Sequence, residues 1–382
     1  MTTLIAKRAH KESQVQNHLE RVESLDAVRG YQMLILIGLP VAQSLRALQD
    51  APWARFVSRQ LEHSKWHGFT YIDLGLAGFI LKVGASVALA FPVQPSSLTE
   101  WRKSYRRIVV RSCSLFLFGV VYSGGFEAPW PEVRLAGVLQ RIAVCYFCAS
   151  IAMLHLTTRQ IVAAVLLILF VFSGVLLWWS FPGYVAGDLS RDGNFAGAVD
   201  RSLLPGRLAY GDFDPEGLGT TIPAVASCLI GVVIGKLLAS HNVPPIRKFS
   251  YLLGSSLLLM NLGVLMDAWI PINKQLWTPS FIVFTAGLGG CLHMAVFYLI
   301  VDVWKSRLLF PLMIFGQHSL AAYLIGRFVR TDALSASIFG GISRIAGQYG
   351  VVVLACGQIL LVWLMLYYFH RATITQLTPS RD

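Results

Sequence analysis

The stretch QIVAAVLLILFVFSGVLLWWS, residues 160–180, carries no charged side chain. About 20 apolar residues of α-helix span the hydrocarbon core of a bilayer, and this run meets that length. Runs of the same kind recur along the chain, at roughly 29–48, 70–92, 108–125, 137–156, 160–180, 219–239, 249–268, 278–302, 308–327 and 349–369. Inside lipid the backbone must satisfy its own polar groups, so each run is expected to be a helix. The expected fold is therefore all-α: a polytopic helical membrane protein with about ten transmembrane helices. Composition agrees. Hydrophobic residues make up 55% of the chain and charged residues 14%, with mean hydropathy +0.59, where a soluble domain carries about 25% charge.

Three regions follow from this pattern: a polar segment over 1–28, a membrane domain over 29–370 and a tail over 371–382. The first 28 residues are charged rather than apolar, so no cleavable signal peptide is read there. The formal net charge is +12, but its arrangement does not indicate nucleic acid. With the N-terminus in the cytoplasm and alternating spans, the excess of Lys and Arg falls in the tail and short loops on the inside. That is the positive-inside bias, and it reports topology. Both termini are then expected in the cytoplasm of a bacterial inner membrane, in contact with membrane lipids. The six cysteines all fall within the expected spans, including the CYFC stretch at 145–148, and read as small apolar filler.

Two connections are long, 49–69 and 181–218, and both face outward in this topology. Long ordered loops in compact proteins tend to be functional. The first runs into LEHSKWHGFTYIDLGL, residues 61–76, with His63, Trp66, His67 and Asp73. If this segment is helical, His63 and His67 share a face. A zinc site needs three or four ligands, and no HExxH or CxxC partner lies nearby, so no metal is expected. A neutral imidazole is the natural general base for an amine or hydroxyl. An interfacial His–Trp anchor is the plainer reading.

Other polar groups stand out against the apolar background. Asp214 and Glu216, just before the sixth span, could cap its helix or bind the polar groups of a sugar or amine. Gln140 and Arg141 open the fourth span, where a charge is expensive and indicates a buried pair or a ligand contact. IPINKQLWTPSF, residues 270–281, forms a compact external turn with Asn273, Lys274 and Trp277. Lys82 falls near the middle of the second span, where it could snorkel, pair with an acid or hold an anionic substrate. On the cytoplasmic side, WRKSYRRIVVR (101–111) includes Arg102, Lys103, Arg106 and Arg107. These could touch anionic lipid or gather the phosphates of an acyl-CoA.

Read in order, SLDAVRG (24–30), EHSKWHGFTYIDL (62–74), LAGVLQRIAVCY (135–146), AVDRSLLPG (198–206), DPEGLGTTIPA (214–224), INKQLWTPSF (272–281) and GQHSLAAYL (316–324) form a single series. The series resembles the successive motifs of the heparan-α-glucosaminide N-acetyltransferase family, in its bacterial-type core. The resemblance covers about residues 21–330. It implies a membrane-embedded transfer of an acetyl group from cytoplasmic acetyl-CoA to a glucosamine amine on the far side. It also implies that His63, which stands before Trp66 in the family's H-x-x-W-x-G-x-T motif, is the catalytic histidine; if the loop folds back, Asp73 could orient or charge-stabilise that imidazole as a carboxylate does for a catalytic histidine.

Three places depart from the family pattern. Pro40 and Val41 stand in IGLPVAQS where polar residues are usual, Lys82 enters with GLAGFILKVG, and His318 replaces an amide in GQH. The expectation is an acyltransferase acting on an amino sugar or a related glycan acceptor, as a possible homodimer. A transporter of amino sugars, or a relative retaining only a binding or scaffold role, is the alternative. The candidate substrate contacts are His67, Trp66, Lys82, Gln140, Arg141, Asp214, Glu216, Asn273, Lys274, Trp277 and His318.

Overall fold

A computed structural model of the chain describes residues 22–37, 44–45, 52–91, 95–125, 129, 132–180, 182–183 and 185–377. Pro40, Val41, nearly all of the N-terminal segment and the end of the tail lie outside the described residues. Among the described residues seven helices are long and apolar enough to cross a membrane, and the chain is a polytopic helical membrane protein.

The central helix is α3 (Leu74–Ala90), entered through a short 3₁₀ turn at Tyr71–Asp73 and buried over most of its length. It packs on α8 (Leu218–Ala239) through small residues. A Cβ at Gly84 would run into the carbonyl of Cys228, and one at Gly231 into that of Leu81. Such close backbone approach is how helices associate in lipid, where burial of apolar surface supplies no driving force. On the other flank α1 (Glu23–Ile37) meets α11 (Phe310–Gln317) in the same way, through Gly30 and Gly316.

The outer helices are α6 (Thr158–Trp178) and α9 (Pro245–Asp267). They turn Leu166, Phe170, Leu258 and Leu265 outward, as helices facing lipid tails do. The helix α4 (Leu98–Tyr122) fixes the polarity of the bundle. The Arg107 guanidinium lies 5.4 Å from the ring of Phe91, just past the end of α3, and Tyr105 bonds to His155 at 2.7 Å, the last residue of α5 (Val138–His155). At its other end Gly119 of α4 lies against the carboxamide of Gln140, in the first turn of α5. So α4 runs antiparallel to both neighbours. Arg102, Lys103, Arg106 and Arg107 sit at one end of the bundle, and the 61–73 loop at the opposite end.

Two expected spans are not simple rods. The eighth, α10 (Pro279–Val303), contains π-helical turns at Ala286–Leu292 and Leu299–Val303, a feature common at functional sites. The buried ammonium of Lys82 donates to the carbonyl of Gly289 within the first of these turns. It neither snorkels nor meets an acid among the described residues. The ninth span breaks at His318 into α11 and α12 (Ser319–Phe328). A further helix, α13 (Thr331–Ile345), fills the connection to α14 (Gly350–Leu377). Expected span 108–125 falls mostly in the second half of α4, which is continuous with the basic stretch and is not one of the seven helices apolar enough to cross a membrane.

Candidate active site

The 61–70 segment, which follows the short helix α2 (Pro52–Gln60), is a loop rather than a helix, so His63 and His67 do not share a helical face. Backbone and side-chain bonds pin the loop in place. The Thr70 hydroxyl donates to the carbonyl of Glu62 at 2.6 Å, and the Tyr71 N–H donates to Gln60 at 3.1 Å. Asp73 is the organising residue, its side chain only 1% exposed. One oxygen, Oδ2, accepts from Ser64 N–H (3.2 Å) and Thr70 N–H (3.1 Å) and lies 3.0 Å from the Thr70 hydroxyl, whose proton it shares with the Glu62 carbonyl. The other, Oδ1, lies 2.8 Å from His63 Nδ1. An ionised carboxylate can only accept, so Nδ1 is the donor, and in the neutral imidazole the lone pair lies on Nε2. The His63 ring is 48% exposed and the carboxylate behind it is not. The base presents itself outward while its support is sheltered.

Lys274 reaches this pair from 211 residues away in sequence. Its Nζ lies 2.9 Å from His63 Nδ1, 3.3 Å from Nε2 and 3.5 Å from Asp73 Oδ1. Its pKa is lowered, chiefly by burial, against the opposing pull of Asp73 and Glu216. The turn that carries Lys274 is held rigidly. Asn273 is fully buried, its side-chain carbonyl accepting from Leu276 N–H at 2.9 Å. Trp277, also fully buried, adopts φ +52°, a left-handed conformation that costs energy in a bulky residue. Its indole donates to Ser227 at 3.1 Å, and its ring lies 4.6 Å from the Arg141 guanidinium. Trp277 is therefore part of the packed core beneath this turn.

His67 faces Asn273, 3.3 Å from its Nδ2, and burial lowers the imidazole's pKa. Trp66 donates to the carbonyl of Leu189 at 2.8 Å and packs edge-on against Phe213, tying the loop to the 181–218 connection. Arg141, buried in α5, donates to the Pro215 carbonyl and the Thr220 hydroxyl.

Asp214 and Glu216 do not cap α8. Both accept from Arg134, Asp214 at 2.8 and 2.7 Å and Glu216 at 2.7 Å. Burial acts to lower the Arg134 pKa, but the two carboxylates outweigh it and raise it. The N–H donor at the start of α8 is met instead by Asp200, which accepts from Gly219 at 2.9 Å. Asp200 lies in α7 (Phe195–Leu203), and burial raises its pKa to about 6.

Two cavities adjoin these groups. One, of about 180 Å³, is an apolar slot between α1, α3, α4, α5 and α12, with Arg29 and Arg111 in its wall. The other, of about 240 Å³, opens at the His63 end and is lined by Arg134, Arg207, Arg327, Gln140 and Tyr122. They share Val138, Leu139 and Tyr323 as common walls, so the two spaces abut inside the bundle.

Of the residues singled out in the sequence, His63, Asp73 and Lys274 form one hydrogen-bonded cluster, with His67 and Asn273 beside it. Arg141 and Trp277 support it from below. Lys82 stands deeper in the bundle, and His318 stands near His370, ring centroids 5.7 Å apart. The four basic residues at 102–107 are at the other end. The sequence did not point to Tyr71 and His293, whose side chains meet at 3.1 Å inside the bundle with Tyr31 bonded to the same Tyr71 hydroxyl. Nor did it point to Arg134 or Asp200. A polar aromatic or histidine inside an apolar run was the available signal for Tyr71 and His293.

Comparison with known proteins finds two curated relatives. Over 323 residues the chain is 25% identical to heparan-alpha-glucosaminide N-acetyltransferase of Mus musculus, covering 69% of this chain and 48% of that protein. Over 369 residues it is 25% identical to the protein of the same name from Homo sapiens, covering 80% of this chain and 52% of the relative. The chain thus spans about half the length of the curated relatives it matches. No family model matches it.

Proposed function

We propose that the protein is a membrane acyltransferase that moves an acetyl or similar acyl group from cytoplasmic acyl-CoA to the amine of an amino sugar on the opposite side. The carrying observation is the His63–Asp73–Lys274 cluster at the end of the bundle away from the basic stretch. Coenzyme A is too charged to cross hydrocarbon unaided, so the protein has to bring the two compartments together. The abutting cavities, with Arg29 and Arg111 in the deeper one, support such a route. Arg102, Lys103, Arg106 and Arg107 would hold the donor's phosphates at its entrance.

In this reading the acceptor amine attacks the thioester carbonyl, the C–N bond forms, and the C–S bond breaks with the electron pair leaving on sulfur. The proton lost by the amine goes to His63 Nε2, the lone pair that the Asp73 bond leaves free. Lys274 supplies a cation for the negative charge that develops on the carbonyl oxygen. The same imidazole could instead accept the acyl group and pass it on in a second step. Direct attack needs no second transition state. His67, facing Asn273, positions the loop.

The test is acceptor-dependent release of CoA by the purified protein. His63→Ala should lower the rate by about a hundred- to ten-thousand-fold with acyl-CoA binding retained, and His67→Ala should cost much less. A His63→Ala variant keeping over about a tenth of the rate would make the histidine an interfacial anchor.

A further inference from the structure

The cavity at the His63 end carries more positive charge than a neutral amino sugar requires. The isolated antiparallel backbone bridge between Arg134 and Gly206, with Arg207 N–H bonded to the Val133 carbonyl at 3.2 Å, joins the two segments that bring Arg134 and Arg207 to the cavity wall. Arg327, from the last turn of α12, closes the opposite wall. Arg134 is committed to Asp214 and Glu216. Arg207 and Arg327 are exposed and have no carboxylate partner among the described residues, and the Arg327 guanidinium lies 5.7 Å from the centre of the Tyr122 ring. Behind them lies Gln140, 4% exposed, whose Nε2 has no hydrogen-bond partner among the described residues. Glycines make room for this carboxamide, since a Cβ at Gly137 would come within 2.6 Å of its Oε1. A buried amide donor left unmet is costly, and here it lies in the wall of a cavity with two unpaired guanidinium groups.

We propose that this cavity binds an oxyanion carried by the acceptor, so that the acceptor is an acidic amino sugar bearing a carboxylate, phosphate or sulfate. The inference rests on the acyltransferase reading and narrows its acceptor class. Arg207 and Arg327 present planar forks suited to a two-oxygen anion, and Gln140 Nε2 is the neutral donor at the base. The carboxylates of Asp214 and Glu216 do not repel the anion strongly, because Arg134 and the backbone amides of Ala209 and Glu216 already engage them. The cavity flanks the Arg134–Glu216 pair, and the charge of Glu216 is felt in turn by Lys274. An acceptor anchored here by its acid would be held on the His63 side of the bundle.

The test is thermal unfolding of the purified protein in neutral, lipid-free detergent with glucosamine, glucosamine 6-phosphate, inorganic phosphate or phosphatidylglycerol vesicles. Glucosamine 6-phosphate should stabilise both wild type and His63→Ala at a concentration at least about tenfold lower than glucosamine does. That preference should vanish in the Arg207→Gln/Arg327→Gln variant and shrink in wild type as salt rises. The salt series needs no variant, so it decides even if the double substitution misfolds. Equal action of the two sugars would overturn the anion site and leave the acyltransferase reading standing. An arginine-dependent response to inorganic phosphate with none to either sugar would sink the acidic-acceptor proposal. A response confined to phosphatidylglycerol would assign the arginines to a lipid headgroup and overturn it equally.

Discussion

Asp73→Asn should silence the site through a proton rather than through lost packing. The carboxylate sits between two sets of donors. Ser64 N–H, Thr70 N–H and the Thr70 hydroxyl reach Oδ2, and His63 Nδ1 reaches Oδ1 at 2.8 Å. An amide of the same shape has one acceptor end. If its oxygen faces His63, its NH₂ group meets two backbone N–H donors, each left unpaired at a cost of about 1–3 kcal/mol. The stable orientation therefore turns oxygen toward Ser64 and Thr70 and NH₂ toward His63. That NH₂ donates to Nδ1, so the imidazole proton moves to Nε2 and the lone pair needed for the amine is gone. In catalytic triads the equivalent exchange costs about 10⁴-fold in rate, near 5 kcal/mol. Asp73→Asn is expected to lose at least about a hundredfold in acceptor-dependent CoA release, while unfolding temperature and acyl-CoA binding stay close to wild type. Retention of more than about a tenth of the rate would show that the His63 tautomer does not matter and would refute the reasoning.

Two further outcomes are expected. Acetyl-CoA should raise the unfolding temperature, and replacing Arg102, Lys103, Arg106 and Arg107 with Gln should reduce that rise. An unchanged rise would leave the cluster with a topological role only. Asp200 gives a pH dependence, because burial lifts its pKa from 3.8 to about 6. The folded state then holds a proton that the unfolded chain releases. This contribution is complete below pH 4 and is lost as pH rises through about 6, on the order of 3 kcal/mol. Asp200→Asn should flatten that part of the stability profile measured by chemical denaturation between pH 4 and 7, and an unaltered slope would assign it to another group.

The membrane fold was legible because lipid imposes a length and a composition that a sequence displays directly. Residues 160–180 read as a span, and α6 is one. His63 and Asp73 were legible as a pair because they lie within ten residues of each other. Lys274 was visible only as a polar residue in a turn, since nothing local links it to a histidine 211 positions earlier. The same limit hid the pairing of Arg134 with Asp214 and Glu216, and it made those acids look like helix caps when Asp200 does that work. The condition under which His63 and His67 would share a face, a helix over 61–70, is not met, because Asp73 draws Ser64 and Thr70 N–H out of any helical pattern. Lys82 resisted assignment because its partner is a backbone carbonyl, a contact that no residue type announces.

The most direct test of transfer across the membrane is a sided measurement in proteoliposomes, with labelled acetyl-CoA outside and an amino-sugar acceptor trapped within. The account expects labelled, acylated acceptor inside, free CoA outside, and neither with His63→Ala. Labelled product formed only when donor and acceptor share one side, or net movement of unmodified acceptor with no donor present, would contradict it.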